Sequence, residues 1–357
     1  MNTFFKDLKV IELANVLAGP AVGMFFAELG ASVIKIENKS TNGDVTRSWK
    51  LPTENPTADS SAYFAAVNWN KKSLFLDLKL EGDKKIILDL IKEADVVITN
   101  YKKGDDIKLG MDYQRLQLIN PQLIYAHISG FGEESTRTAF DLVLQAETGF
   151  MFMNGTAESG PIKMPVALID ILAAHQLKEG ILIAIINKIK TGKGSKVSVS
   201  LYDSAITSLA NQATNWLMEK QDPQPIGSLH PNIAPYGELF LTADDKLIVL
   251  AIGNDKQFKQ LCLVLKKESL LENEKFRTNS SRVKNRSELF EFLKALIREL
   301  NCNVLMNQFY KQDVPAGIIK SVKQVFEEEN AKKLTLKETD LNGTLTERVK
   351  TIAFNVS

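Results

Sequence analysis

The sequence predicts an α/β protein: a Rossmann-like parallel sheet in a large domain, with a smaller α+β domain attached. Three observations carry this. Short apolar strands alternate with helical segments over the first 130 residues, which implies crossover connections and a parallel sheet. The 357 residues exceed what one hydrophobic core usually serves. A Pro- and Gly-rich stretch, "QDPQPIGSLHPNIAPYG" (221–237), interrupts the pattern and reads as a domain boundary.

In order, "LKVIEL" (8–13) reads as a buried strand and "AVGMFFAEL" (21–29) as a helix closed by Gly30. "ASVIKIE" (31–37) is a second strand and "SLFLDLK" (73–79) a third. The amphipathic "EGDKKIILDLIKEA" (81–94) is a helix, followed by the strand "DVVITN" (95–100). "YQRLQLINP" (113–121) is a helix stopped by Pro121, and "LIYAHIS" (123–129) is a strand. A long helix is expected from about Ile171 to Lys190, then a basic Gly turn leading into a strand within 191–203. One helix is expected over 204–220. Beyond the linker, "GELFLTADDKLIVLAIG" reads as a hairpin, with helices near 255–265 and 286–311, and "RVKTIAFNVS" is strand-like. The domains expected are 1–220, a linker 221–237, 238–320, and a tail 321–357 returning to the large domain.

Composition narrows the function classes. Hydrophobic residues make up 44% and charged residues 24%, as in a globular protein, and the net charge is +1. No global field favours nucleic acid or an anionic membrane, so an anionic ligand must be held by local groups. Two cysteines, Cys262 and Cys302, form no Cys-x-x-Cys, so a reducing compartment is expected. "MNTFFKDLKVIEL" does not read as a signal peptide. The longest apolar run, "GILIAII", is too short to span a bilayer. A cytoplasmic protein is expected.

The turn after the first strand is Ala18-Gly19-Pro20, without the three glycines that a dinucleotide site needs for close backbone approach. "TGKGSK" (191–196) follows a helix and precedes a strand, the reverse of a phosphate loop. His127, His175 and His230 are too far apart for metal-ligand spacing, and His127 reads as a satisfied core group. No metal site is expected. The conspicuous residue is Asp170. From Met164 to Ala174 every other residue is apolar or small, and burying a lone carboxylate is costly. Asp170 could be a helix N-cap, or a carboxylate nucleophile at a helix N-terminus. A cap would fix the carboxylate and keep it ionised, so the two readings are compatible.

Six segments in register resemble the class III CoA-transferase family, the carnitine, formyl and bile-acid type. They are "LANVLAGPAVGMFFAELGASVIKIE", "GDVTRSW", "NWNKKSLFLDLK", "ADVVITNYKKGDDIKLGMDYQRLQLINPQLIYAHISGFG", "FDLVLQAETG" and "KTGKGSKVSVSLYDSAI". The resemblance implies an aspartate nucleophile at Asp170, acting through aspartyl-acyl anhydride and aspartyl-CoA thioester intermediates. It implies coenzyme A or acyl-CoA as substrate, with no tightly bound cofactor, and a carboxylic acid as acceptor. By position it puts CoA contacts on Val16, Leu17, Ala18, Asn38, Asn100, Tyr101, Lys108 and Leu109. At Asn38 the family often has a charged residue or Pro. Related α-methylacyl-CoA racemases carry a histidine where this chain has Phe140, which cannot move a proton, so transfer is expected over racemisation. The alternatives are a racemase-type enzyme or a CoA-binding relative without transferase activity. The resemblance also implies a homodimer of interlocked rings.

Overall fold

The computed structural model describes residues 3–339 and 343–356. The chain divides into two compact units. One comprises residues up to Met151, Lys163–Pro223 and the stretch from Lys333 onward; the other comprises Phe152–Ile162 and Gln224–Lys332. Residues 152–162 and 321–332, expected with the large domain and its tail, therefore fall with the smaller unit.

The large unit is built on six parallel strands: β1 (Lys9–Glu12), β2 (Ser32–Asn38), β3 (Lys72–Leu76), β4 (Val96–Thr99), β5 (Ile124–Ser129) and β6 (Ser195–Ser200), in the order β3-β2-β1-β4-β5-β6. Val10 pairs with Val33 on one side and Val96 on the other. Central strands of this kind are apolar on both faces because helices cover both. On one face lie helices α1 (Ala18–Glu28) and, far along the chain, the 24-residue Leu168–Thr191, closed by Gly192 at φ 69°. Their Val22, Phe25, Phe26, Leu177 and Ile181 pack with Val10, Ile98 and Ala126 of the strands. On the other face, α2 (Glu81–Lys92) brings Ile87 and Ile91 against Ile11, Ile36, Val97 and Tyr125. Gly19 lets α1 lie close to the sheet, since a Cβ there would sit 2.3 Å from Ala14 Cβ. The strand order reverses between β1 and β4, and a crevice opens there at the carboxyl ends of the strands.

Late residues close the unit against early ones. A hairpin of Thr335–Thr339 and Leu345–Val349 meets the segment before β3, where Asn70 N donates to Glu338 Oε1 at 3.0 Å. Thr351 donates its N–H and its hydroxyl to Glu28 Oε1, at 2.7 and 2.9 Å.

In the smaller unit, β7 (Tyr236–Leu241) and β8 (Leu247–Ala251) form the expected antiparallel hairpin, and β9 (Ala316–Ile318) joins β8. Its core gathers Phe240, Ile248, Leu250, Phe258, Leu261, Leu293 and Phe309.

Four expected helices differ. The first begins at Ala18, not Ala21, and the long one at Leu168, not Ile171. The single helix expected over 204–220 is two, Leu201–Thr207 and Ala210–Glu219, with Ala210 at φ 48° after the break. Ser204, Thr207 and Ser208 hydroxyls bond back to the carbonyls of Ser200, Asp203 and Ser204, competition that disfavours a continuing helix. The helix expected over 286–311 is Arg286–Arg298 and Cys302–Lys311, because Asn301 caps the second piece through Asn303 N at 3.1 Å.

Candidate active site

At the carboxyl edge of the large unit's sheet lies a cavity of about 140 Å³, lined in part by the turn after β1, the segment after β4, the loop after β5 and Asp170. Val16, Leu17, Ala18, Asn100, Tyr101, Phe140 and Asp170 all border it. Seven of the ten positions singled out in the sequence thus converge on one cavity.

Asp170 is not a helix cap. It is the third residue of its helix, and the capping position is Ala167, whose side chain bonds nothing. The cap comes from another element, α3 (Asp141–Glu147). Asp141 Oδ1 accepts the Ile169 N–H at 2.7 Å. One turn on, Gln145 donates to Asp141 Oδ2 at 2.6 Å and accepts the Met164 N–H at 2.8 Å. Asp141 and Gln145 thus hold the chain that leads into Asp170. This frees the Asp170 carboxylate: it is 9% exposed and takes no hydrogen bond among the described residues. Burial, and after it the neighbouring Asp141 carboxylate, push its pKa up to about 7. The expectation that capping keeps this group ionised is reversed. Its charge is disfavoured by its surroundings, and its carboxyl faces the cavity poorly solvated.

The walls follow from the strand ends. Asn100, just past β4, clasps the turn after β1: it accepts the Asn15 N–H at 3.1 Å and donates to Asn15 O at 2.9 Å. Tyr101 follows it, and burial pushes its phenol above the ordinary range. His127, on β5, has Nδ1 2.9 Å from Thr99 Oγ1 and is buried, which lowers its pKa. It is a satisfied group, as expected, but it also borders the cavity. Phe140 stands at the start of α3 in extended conformation, 53% exposed, and offers a ring but no proton carrier.

Asn38, Lys108 and Leu109 do not border this cavity. Asn38 ends β2, and its Oδ1 accepts the Ser40 N–H at 3.0 Å; it borders a second, larger cavity with Arg47 and Lys72. Lys108 is exposed and pairs with Asp105 at 2.9 Å. Leu109 packs against the core cluster of α2. Conversely, sequence reasoning passed over Asp141, Gln145 and Asn15. A signal was present for the first two: in "FDLVLQ" the acid and the amide stand four apart, on one helix face.

The profile of CoA-transferase family III matches residues 5–356. The chain belongs to that family. As a family III CoA-transferase it is 38% identical over 327 residues to the succinate–glutarate CoA-transferase of Agrobacterium fabrum, covering 90% of this chain and 81% of that one. It is 35% identical over 326 residues to human succinyl-CoA:glutarate CoA-transferase, covering 90% of this chain and 73% of the other. The transferase is also similar to the crystal structure of a CAIB/BAIF family protein from Brucella suis, with TM-score 0.85, 38% identity, and 99% and 93% of the two chains covered.

Proposed function

We propose that this CoA-transferase moves CoA from an acyl-CoA to a free carboxylic acid, with Asp170 as the covalent nucleophile. The observation that carries the reading is the Asp170 carboxyl itself: buried, without a hydrogen bond among the described residues, facing a cavity at the reversal point of a parallel sheet. The carboxylate oxygen attacks the thioester carbonyl, the C–S bond breaks, and CoA thiolate leaves behind an aspartyl-acyl anhydride. The thiolate attacks the aspartyl carbonyl and expels the acyl group as its carboxylate, giving an aspartyl-CoA thioester. The acceptor carboxylate attacks that thioester, and the released thiolate attacks the new anhydride at the acceptor carbonyl. Acceptor-CoA departs and the Asp170 carboxylate is restored. No proton or water enters the balance, so the apolar stretch around Asp170 serves by keeping water from each intermediate.

The similarity to succinate–glutarate enzymes supports C4 and C5 dicarboxylates as acyl groups. Val16, Leu17, Ala18, Asn100 and Tyr101 would hold the reactive end of CoA. Asn38, Lys108 and Leu109 would serve its nucleotide end, which must lie farther along the same strand ends. Phe140 favours transfer over racemisation, because proton exchange at the α-carbon needs a second shuttle. An interlocked homodimer and a cytoplasmic setting belong to the same reading; the free, buried Cys262 and Cys302 suit a reducing compartment.

Hydroxylamine added during turnover tests the chemistry. A hydroxamate is expected on the peptide containing Asp170, and Asp170→Asn is expected to lower transfer by several orders of magnitude. A label on another peptide would sink the assignment even if that variant were inert. Rapid α-hydrogen exchange of a 2-methylacyl-CoA in deuterated water would instead favour the racemase.

A further inference from the structure

The turn between β1 and α1 forms one wall of the Asp170 cavity, and side chains from three places grip its main chain. Ala14 O accepts from Lys35 Nζ at 2.8 Å. Asn15 is held through both its N–H and its carbonyl by Asn100. The Val16 N–H donates to Asp44 Oδ2 at 3.1 Å. Just beyond it, early in α1, Pro20 O accepts from Lys71 Nζ at 2.7 Å. The middle of this turn is strained: Val16 has φ 72°, a left-handed conformation that is an outlier for a β-branched residue. Such a conformation persists only where the surroundings enforce it, and it concentrates at functional sites.

The enforcing group is built deep in the unit. Asp44 Oδ2 lies 3.0 Å from Lys35 Nζ, which lies 3.0 Å from Glu12 Oε1; Glu12 Oε2 lies 2.7 Å from Lys71 Nζ. All four side chains are at most 1% exposed. Asp44 Oδ1 accepts the Thr46 N–H and hydroxyl, at 3.0 and 2.8 Å, and lies 3.4 Å from the Val16 N–H, so that amide is shared between the two oxygens with Oδ2 the nearer. Burying these four charges carries a desolvation penalty, and apolar side chains of similar volume would hold a core as well. None of the four borders the Asp170 cavity, though Asp44 and Lys71 border the larger one, yet Lys35 and Asp44 end on the turn that lines it.

We propose that Asp44, held by Lys35, is a positioning residue of the transfer reaction: its carboxylate locks Val16 in the left-handed conformation and so fixes the Val16–Ala18 wall against the reacting end of acyl-CoA. This rests on the reading of the Asp170 cavity as the active site.

The test is Asp44→Asn in the full chain. An amide has one accepting oxygen and no charge: with that oxygen toward Thr46, Val16 keeps only the 3.4 Å contact, with it toward Val16, Thr46 loses its partner, and either way the ion pair with Lys35 is gone. With succinyl-CoA and glutarate, kcat/KM for the acyl-CoA should fall by about 10- to 100-fold, the scale of an ångström-sized misplacement, while KM for glutarate stays within about threefold. Hydrogen exchange should quicken in the peptide spanning residues 13–19 and stay unchanged around Asp170. Adding Val16→Gly should recover about tenfold or more per folded molecule, because glycine adopts this conformation without strain. A role confined to folding would change the melting temperature but not these per-molecule rates. A folded D44N variant with wild-type kcat/KM, or a folded double variant with no recovery, overturns the proposal. If D44N does not fold, Thr46→Val, which removes only one donor to Asp44 Oδ1, must lower kcat/KM by about threefold or more; an unchanged value then overturns it. An active D170N variant would instead refute the active-site reading and leave the exchange result at Val16 standing.

Discussion

Asp170 is placed where ionising it is expensive, and that sets two expectations. Its pKa of about 7, against about 3.9 in an unfolded chain, makes ionisation in place cost on the order of 4 kcal/mol. The folded protein binds this proton more tightly than the unfolded chain does. The penalty is therefore absent below about pH 4, where both states are protonated, grows as pH rises toward 7, and is constant above. Asp170→Asn should raise stability at pH 8 by a few kcal/mol and lose that gain by pH 4, as thermal melts across pH would show. A lower melting temperature for the variant at pH 8 would contradict the burial argument. A capping role would have predicted a loss of up to about 1 kcal/mol instead. The second expectation concerns rate. In the proposed mechanism attack needs the carboxylate, so kcat/KM should rise with pH and level off above about 7. Asp141→Asn removes the neighbouring negative charge and should move that acidic limb to lower pH; an unmoved limb would show that Asp141 does not reach Asp170 electrostatically. The sequence made Asp170 conspicuous because a carboxylate interrupts an apolar run. Its protonation state was not legible there, because both the cap and the repelling charge come from Asp141, 28 residues before Ile169.

The strands were the legible elements. Central parallel strands are apolar on both faces, so "VVIT" announces itself without context, and "KVIE" is read from Val10 and Ile11 although it also buries Glu12. Helix breaks near Ser208 and Leu300 were not legible, because the apolar pattern continues across them while serine and threonine hydroxyls or an Asn cap divert the backbone. Close approach between elements is equally silent in the sequence. Gly194 precedes β6, and a Cβ there would lie 2.1 Å from Leu123 O and 2.6 Å from the carbonyl carbons of Gln122 and Leu123. Those are backbone atoms of the neighbouring strand's entry and cannot swing aside. Gly194→Ala should cost roughly 3 kcal/mol or more of stability, read by denaturant unfolding. Gly194 sits at the amino end of β6, and the cavity is at the carboxyl ends, so kcat per folded molecule should hold. A variant as stable as the parent would mean that the β5–β6 entry can move apart.

For the whole molecule, the expectation to check is the proposed interlocked dimer. Threaded rings part only when a chain unfolds, so dissociation should follow unfolding rates, and light scattering at falling concentration should find no monomer before denaturation. A stable folded monomer at nanomolar concentration would contradict it. The large unit carries a consequence for how the protein is made. Glu28 accepts from Thr351, and Asn70 donates to Glu338, so these early residues wait for partners synthesised 323 and 268 residues later. Gln224–Lys332, which belongs to the other unit, is translated in between. At about 5–20 residues per second, that interval lasts roughly 5–20 seconds. During it the sheet has its six strands and most of its core, but Glu28 and Asn70 face the ribosome's surroundings unfilled. Nascent chains halted before Lys333 should therefore be easier prey for proteases and chaperones than the same sheet a few seconds older.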